Sequence, residues 1–596
     1  MCGIVGYIGN EQATPILLEG LSKLEYRGYD SSGIAVFDKN EIKTIKATGK
    51  LINLYKKINN SESLNGNIGI GHTRWATHGK PTLANAHPHS GEHFTLVHNG
   101  IIENEEDIRK KYLKDTEFET QTDTEVIVKL IEKFYNADKD IKSVICRLID
   151  TLKGSYALAI LDKNNPDTVY AIKNKSPLLI GKGKDFNILA SDPIAMISRT
   201  KEFYEIKDKE FAIITKDSVN IYSKDKKEVK RAFYVLEYNS FDTEKGAYSH
   251  YMLKEIDEQP SVIKRILEKY SNDTGVLEMD ENLIKALKES DKLYIIACGT
   301  SYHAGLLGKH FFEKISNKQT EVLIASEFVY NTPLLSKTPM FIFISQSGET
   351  ADCRSGLIKV KEMGFKTLTI TNVNNSTLAR ESDFSLLLWA GPEIAVASTK
   401  AYTAQVTLLA ILATTINNSI NINIKNELYE ISNEIEQLCA KKELFRELAH
   451  KYLKDSKNCF YIGRGIDYYV CLEAALKLKE ISYIHTEGFA AGELKHGTIA
   501  LIENNTPVIA INTQNNLSAH TISNVKEVLA RGANVMTICS RSLKTKDEQI
   551  VINDVCELLT PLLSVVPTQY LAYYSALQNG CDIDKPRNLA KSVTVE

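Results

Sequence analysis

The sequence predicts a first domain of layered short strands and helices, followed by two copies of a doubly wound α/β domain. Three observations carry this reading. The first 240 or so residues are short β-rich runs bounded by Gly, Asn, Asp or Pro. From about residue 280 strand and helix patterns alternate, the texture of a parallel sheet covered on both faces. The landmarks of that second texture also repeat: 166 residues separate Gly299 from Gly465, and 167 separate Ser345 from Asn512. A helix opening Tyr402-Thr403-Ala404-Gln405 is answered by Pro567-Thr568-Gln569-Tyr570 at an offset of 164, so an internal duplication is expected. At roughly 100–200 residues per domain, a chain of 596 residues holds more than one core.

In the first domain, strands are expected at Gly3–Ile8, Ser32–Phe37, Gly69–His72, Phe94–His98, Ser155–Leu161 and Thr168–Ile172. Helices are expected at Ala13–Leu24 and Asp123–Phe134, where Val126, Ile127, Leu130 and Ile131 share a face. Two strand layers flanked by helices satisfy this pattern. The run 224–231 is charged and solvated, and 239–249 has the composition of a loop, which places a boundary there. In the second half, strand Leu293–Ala297 enters Cys-Gly-Thr-Ser, Phe341–Ser345 enters Gln-Ser-Gly-Glu-Thr, and Lys366–Thr371 follows. After a helical stretch near 400–450, Cys459–Ile462 enters Gly-Arg-Gly and Pro507–Ile511 enters Asn-Thr-Gln. In such sheets a ligand sits beyond the carboxyl ends of the strands.

Composition excludes several classes of function. The 72 basic and 75 acidic residues leave a net charge of −3, so no basic field points to nucleic acid. The longest apolar stretches, such as Leu408–Ile416, fall short of the roughly 18–20 residues that span a bilayer. The N-terminus lacks the basic region of a secretion signal, so a cytoplasmic protein with no membrane partner is expected. No two of the ten cysteines lie within four residues of each other, which removes zinc-ribbon and CxxC readings. Six of the thirteen histidines lie between His72 and His98, but with no zinc-ligand spacing and only one acid, Glu92; no metal is expected.

Cys2 is the most informative single residue. With the initiator Met1 removed, it would carry a thiol and a free α-amine. That amine's ordinary pKa near 7.7–8.0 suits it to serve as base for its own side chain. Alone, Met-Cys is an ordinary beginning; three segments add to it. Arg74, within Gly71–Gly79, suits a bidentate grip on a carboxylate. Asn99 and Gly100 are parts for an oxyanion hole. Thr122–Glu125 opens a helix, where Asp123 either caps the helix or receives a substrate ammonium.

Cys2-Gly3-Ile4, Tyr26–Ser31, His72–Gly79, Asn85–Pro88, His98-Asn99-Gly100 and Thr122–Glu125 together resemble the class II, N-terminal-nucleophile glutamine amidotransferases. The resemblance covers the first domain and implies an N-terminal-nucleophile αββα fold. It further implies glutamine hydrolysis by Cys2, an oxyanion hole of Asn99 and Gly100, and glutamine held by Arg74, Thr77, His78 and Asp123. Trp75 would stand where ammonia leaves.

In the second half, Ser345–Thr350 sits between a strand and a helix. Hydroxyls and free amides there make an anion site, which Cys298–Ser301 at the neighbouring strand end would complete. An ordinary polar loop is the alternative, and no Walker sequence points to a nucleotide triphosphate. Glu473, Lys477 and Glu480 share one helix face, which on spacing alone favours a solvated stripe. Asp584–Glu596 has the look of a frayed tail.

Ser345–Thr350, Ala397–Lys400, Leu472–Tyr483, Glu493–Gly497 and Pro586–Glu596 overturn both bland readings. They resemble paired sugar-isomerase (SIS) domains of flavodoxin-like, doubly wound fold, and the whole chain is similar to the glucosamine-6-phosphate synthase family. The resemblance implies domains at 2–238, 280–425 and 450–586, with a linker at 239–279 and a catalytic tail at 587–596. It implies glutamine and fructose 6-phosphate as substrates, no cofactor, and a homodimer through the SIS domains. Thr300, Ser301, Ser345, Gln346, Ser347, Thr350, Val396 and Ser398 would hold the sugar phosphate. His496 would assist ring opening in the partner's site, and Lys591 would form a Schiff base. Glu480 would move a proton between C2 and C1, with Lys477 assisting. A phosphoribosyl-diphosphate enzyme or an asparagine synthetase lacks its own motif here, and a sugar-phosphate sensor has no use for a nucleophile.

Overall fold

The computed structural model describes residues 2–25, 28–60, 64–75, 79–235, 244–545 and 548–594. Its chain divides into two compact units, Met1–Glu244 with Ser592–Glu596, and Lys245–Lys591.

The first unit holds two antiparallel sheets, of eight and six strands among the described residues. Strand Gly3–Ile8 runs mid-sheet between Ile68–Arg74 and Asn187–Ala190 and is buried along its whole length. Phe94–Ile102 pairs with Gly154–Asp162 in the other sheet. Ile4, Ile8 and Ile70 of one sheet pack against Val97, Ala157 and Ala159 of the other. The outer faces are closed by helices, Ala13–Leu24 on the larger sheet and Asp123–Ala137 with Ile141–Thr151 on the smaller. The layers are therefore αββα. Strands buried on both faces need apolar side chains at successive positions, and Ile4-Val5-Gly6-Tyr7-Ile8 supplies them. The expected helix Ala13–Leu24 and strand Gly3–Ile8 form with the expected ends, and the other elements differ by a few residues.

The second unit contains two five-stranded sheets, parallel throughout. Numbered along the chain within each, both have the order 2-1-3-4-5, the flavodoxin-like doubly wound order. The repeated landmarks are thus a structural duplication. Alternate residues of Leu293–Ala297 and Met340–Ser345 enter two cores, one with helices Gly299–Ile315 and Lys400–Ile416 and the other with Ala351–Glu362. Lys400–Ile416 contains the longest apolar stretch and is buried nearly all round, the property of a helix inside a core. Within 239–279, helices Tyr251–Asp257 and Gln259–Lys269 place Met252, Ile256, Val262, Ile263 and Ile266 in that shared core. Among the described residues no helix is long and apolar enough to cross a membrane.

Candidate functional site

Cys2 stands at the start of its strand, half-buried, with its sulfur 3.2 Å from the Trp75 amide, which donates to it. Burial pushes the Cys2 thiol up, and the neighbouring N-terminal amine opposes this. Asn99 Nδ2 donates to the Cys2 carbonyl at 2.9 Å. His72 Nε2 lies 3.0 Å from both the His98 carbonyl and Asn99 Oδ1. A carbonyl only accepts, so Nε2 carries the proton and the Asn99 amide is oriented with its nitrogen toward Cys2. His72 stacks on His87 with ring centroids 4.2 Å apart, and burial lowers it to about 3, so it is neutral. Gly100 has φ +137°, and a Cβ there would meet the Ser155 carbonyl oxygen at 1.9 Å, so only glycine fits.

Arg74 is buried and donates to the carbonyls of Gly79 and Lys80. Trp75 meets Tyr29 edge to face. Asp123 is the first residue of its helix, and the cap is Thr122, whose hydroxyl accepts from the Glu125 amide. The Asp123 carboxylate instead accepts from the Ile102 amide at 2.9 Å and lies 3.8 Å from His98 Nδ1. Thr77 and His78, with Tyr26 and Arg27, lie outside the described residues. The clustered histidines support Asn99 and the helix start. Glu92, His93 and Glu132 bring possible ligand atoms within 4.8 Å, but Glu132 already accepts from His93 Nδ1 and from two backbone amides.

In the second unit, Ala297 and Ile344 are opposite each other in parallel strands, so the two following loops begin side by side. Ser345 Oγ and Thr350 Oγ1 are 2.7 Å apart, and the Gly348 amide donates to Ser345 Oγ. Gly348 has φ +65°, and a Cβ would strike Ser376 Oγ at 1.9 Å. The loop side chains Gln346, Ser347 and Thr350 remain partly exposed at a helix N-terminus.

Helix Ile466–Ser482 of the second copy packs against Gly299–Ile315 of the first. Glu473 is fully buried there and accepts from Thr300 Oγ1 at 3.1 Å and from His303 Nδ1 at 2.8 Å. Thr300 is therefore engaged by a carboxylate, and Ser301 Oγ accepts from Gln405. Lys477 is buried between Glu480 at 2.6 Å and Glu473 at 3.6 Å. Burial would push its ammonium down, but Glu480 and Glu473 prevail and hold it above the ordinary lysine range. The solvated-stripe reading is thereby excluded.

Lys591 forms a buried ion pair with Glu393. The other Glu393 oxygen accepts from the Thr399 and Ala401 amides, and Ser398 donates at 2.8 Å. Lys591 outweighs burial and keeps Glu393 below the ordinary carboxylate range. Glu393 also acts electrostatically on Lys477, which ties the two lysine sites together. Val396 donates its amide to the Asp584 carbonyl. Glu255, fully buried, is raised to about 8 by burial and by Glu393. Glu393, Glu255 and His303 had not been singled out from sequence; an acid inside the apolar run Trp389–Ala397 was the available signal for Glu393. His496 ends a short 3-10 turn, exposed, with no hydrogen bond among the described residues.

These two sites define a glutamine amidotransferase unit and a paired sugar-isomerase unit on one chain. A family profile described as "Glutamine amidotransferase domain" matches residues 74–198, and one described as "SIS domain" matches 286–415 and 452–578. Over 100% of both chains, the sequence is 54% identical to the glutamine–fructose-6-phosphate aminotransferases (isomerizing) of Geobacillus kaustophilus and Bacillus subtilis. The protein of that name from Listeria monocytogenes is 53% identical over the same span. The chain belongs to the isomerizing glutamine–fructose-6-phosphate aminotransferase family. Among solved structures, the C-terminal domain of glucosamine-fructose-6-phosphate aminotransferase from Francisella tularensis superimposes with TM-score 0.53 at 35% identity, covering 58% of this chain and 99% of that one. An Escherichia coli tagatose-6-phosphate ketose/aldose isomerase shares the fold, with TM-score 0.50 at 17% identity over 56% of this chain and 95% of that one.

Proposed function

We propose that the protein converts glutamine and fructose 6-phosphate to glutamate and glucosamine 6-phosphate. Cys2, freed of Met1, attacks the glutamine amide, with its own α-amine as base and with Asn99 and the Gly100 amide receiving the oxyanion. Arg74 and Asp123 grip the glutamine carboxylate and ammonium, with Thr77 and His78 completing the site. Ammonia leaves past Trp75 and is passed, shielded from water, to the sugar unit.

There Ser345, Gln346, Ser347 and Thr350 bind the phosphate, with Thr300, Ser301, Val396 and Ser398 around the sugar. Lys591 gives its proton to Glu393 and forms a Schiff base with the open ketose, and ammonia then displaces the lysine. Glu480 carries the proton between C2 and C1, while Lys477 neutralises the charge that develops. The observation that carries this reading is the Lys477–Glu480 pair at 2.6 Å on a helix packed beside an open hydroxyl-lined loop. We further propose a cytoplasmic homodimer through the SIS domains; His496, exposed and unengaged, serves the partner's site.

The test is incubation with glutamine and fructose 6-phosphate, measuring glutamate and glucosamine 6-phosphate, which are expected in equal amounts. Glutamate without amino sugar would refute the acceptor assignment. Amino sugar made by Cys2→Ala from glutamine alone would refute the nucleophile.

A further inference from the structure

All ten cysteines are free, and their sequence spacing pairs none of them. The fold brings two together. Cys298 caps the helix Gly299–Ile315 leaving one parallel strand, and Cys353 sits in the first turn of Ala351–Glu362 leaving its neighbour. Both side chains pack in the same apolar cluster, and their thiols share a hydrogen bond.

Their surroundings differ in a useful way. The Cys298 sulfur accepts from the Cys353 thiol and from the Ala325 and Ser326 amides; together these outweigh burial and Asp352 and hold it below the ordinary thiol range. Cys353 is pushed well above that range by donating to Cys298 and by burial. Cys298 is half-buried and within reach of a small solute, while Cys353 is wholly enclosed. One thiol is thiolate-prone and accessible; the other is protonated, sealed and in contact with it. That is the division between an attacking and a resolving cysteine.

We infer that Cys298 and Cys353 form a hydroperoxide-modification site that closes to a disulfide at the base of the two sugar-phosphate loops. The Cys298 sulfur attacks hydrogen peroxide: an S–O bond forms, the O–O bond breaks, and water leaves with the thiol proton. The Cys353 sulfur then attacks the sulfenic sulfur: the S–S bond forms, the S–O bond breaks, and a second water carries away the Cys353 proton. Two thiols lose two electrons, and one peroxide becomes two waters. Thr300 and Ser301 follow Cys298 directly, and Thr350 precedes Cys353 by three residues. Drawing the sulfurs together to about 2.05 Å shifts both loops, so oxidation weakens sugar-phosphate binding. This consequence rests on the function proposed above; the disulfide itself does not.

The full chain is treated with hydrogen peroxide, quenched with a thiol-blocking reagent, and read by peptide mapping and by equilibrium dialysis of fructose 6-phosphate. A Cys298–Cys353 cross-link is expected, reversed by dithiothreitol, with fructose 6-phosphate bound roughly tenfold or more weakly until reduction. In Cys353→Ala and Cys353→Ser, dimedone is expected to trap Cys298 as sulfenic acid with no cross-link. Cys298 that resists peroxide, or that overoxidises in the wild type without cross-linking, overturns the site. A cross-link that leaves sugar-phosphate affinity unchanged overturns its coupling to the loops. Reduced protein that binds no fructose 6-phosphate refutes the proposed function, while the peptide map still judges the disulfide.

Discussion

The two parallel sheets share a strand order and a helical cover, yet the points where their strand order reverses are put to different uses. In the first copy, Ser345–Thr350 leaves hydroxyls and an amide side chain facing outward. In the second, Asn512-Thr513-Gln514 is filled from inside. Asp467 accepts from the Thr513 amide at 2.8 Å and its hydroxyl at 2.5 Å, Asn512 donates to Ser518, and Gln514 donates to Thr560. The second copy has plugged its own ligand loop with a buried carboxylate. It instead lends the helix Ile466–Ser482, whose Glu473 reaches Thr300 and His303 of the first copy. Duplication here has made one complete site from two half-used ones.

The largest test of that division is Glu480→Gln, which keeps the side-chain volume while removing the proton carrier. Amino-sugar formation is expected to fall about 10²–10⁴-fold, with glutamate release from glutamine unchanged in a coupled glutamate assay. Equal loss of both activities would mean that the second copy's helix supports the fold rather than the acceptor chemistry.

A smaller effect separates the two loops directly. Ser347→Ala and Thr350→Ala each remove a hydroxyl proposed to hold the phosphate. Losing a hydrogen bond to a charged group costs about 1.5–3 kcal/mol, so the KM for fructose 6-phosphate is expected to rise roughly ten- to hundredfold. Thr513→Val in the second copy is expected to leave that KM alone and to lower thermal stability instead. It removes the hydroxyl donor from a buried carboxylate, which costs on the order of 1–3 kcal/mol. A KM change for Thr513→Val would show that the second loop is a ligand site after all.

Much of this was legible in the sequence, for reasons the structure makes plain. Apolar runs such as Leu293–Ala297 and Met340–Ser345 can be buried on both faces only in a covered parallel sheet, so strand, sheet type and duplication were all available. Cys2, Asn99 and Arg74 were visible because their chemistry is unusual for their positions. Glu393 and Glu255 were hidden, since an acid within an apolar stretch looks like a surface residue until Lys591 arrives from 198 residues away. The same spacing rule misled in the other direction at Glu473, Lys477 and Glu480. A helix face with i, i+4, i+7 charges is usually solvated, but here a second domain buries it. Asp123 illustrates a local ambiguity: Thr122 took the cap, and the neighbouring carboxylate was released to reach the Ile102 amide.

The smallest effect, and the sharpest contrast, lies in how each copy handles its buried acid. Glu393 in the first is kept ionised by Lys591. Its stabilisation is therefore present above the ordinary carboxylate range and is lost as pH falls through the depressed value. Asp467 in the second has no such cation, and burial raises it to about 7 despite the two Thr513 bonds. Between about pH 4 and 7 the unfolded chain ionises Asp467 while the folded chain keeps its proton. That stability is full below the unfolded value and fades as pH rises toward 7. Asp467→Asn removes the titration but keeps one acceptor for Thr513. In urea unfolding of the SIS unit within the full chain, the variant is expected to gain on the wild type between pH 5 and pH 8, by up to a few kcal/mol. A stability difference between the two proteins that stays flat over that range would mean Asp467 is ionised in the fold, and that the second loop holds a charge after all.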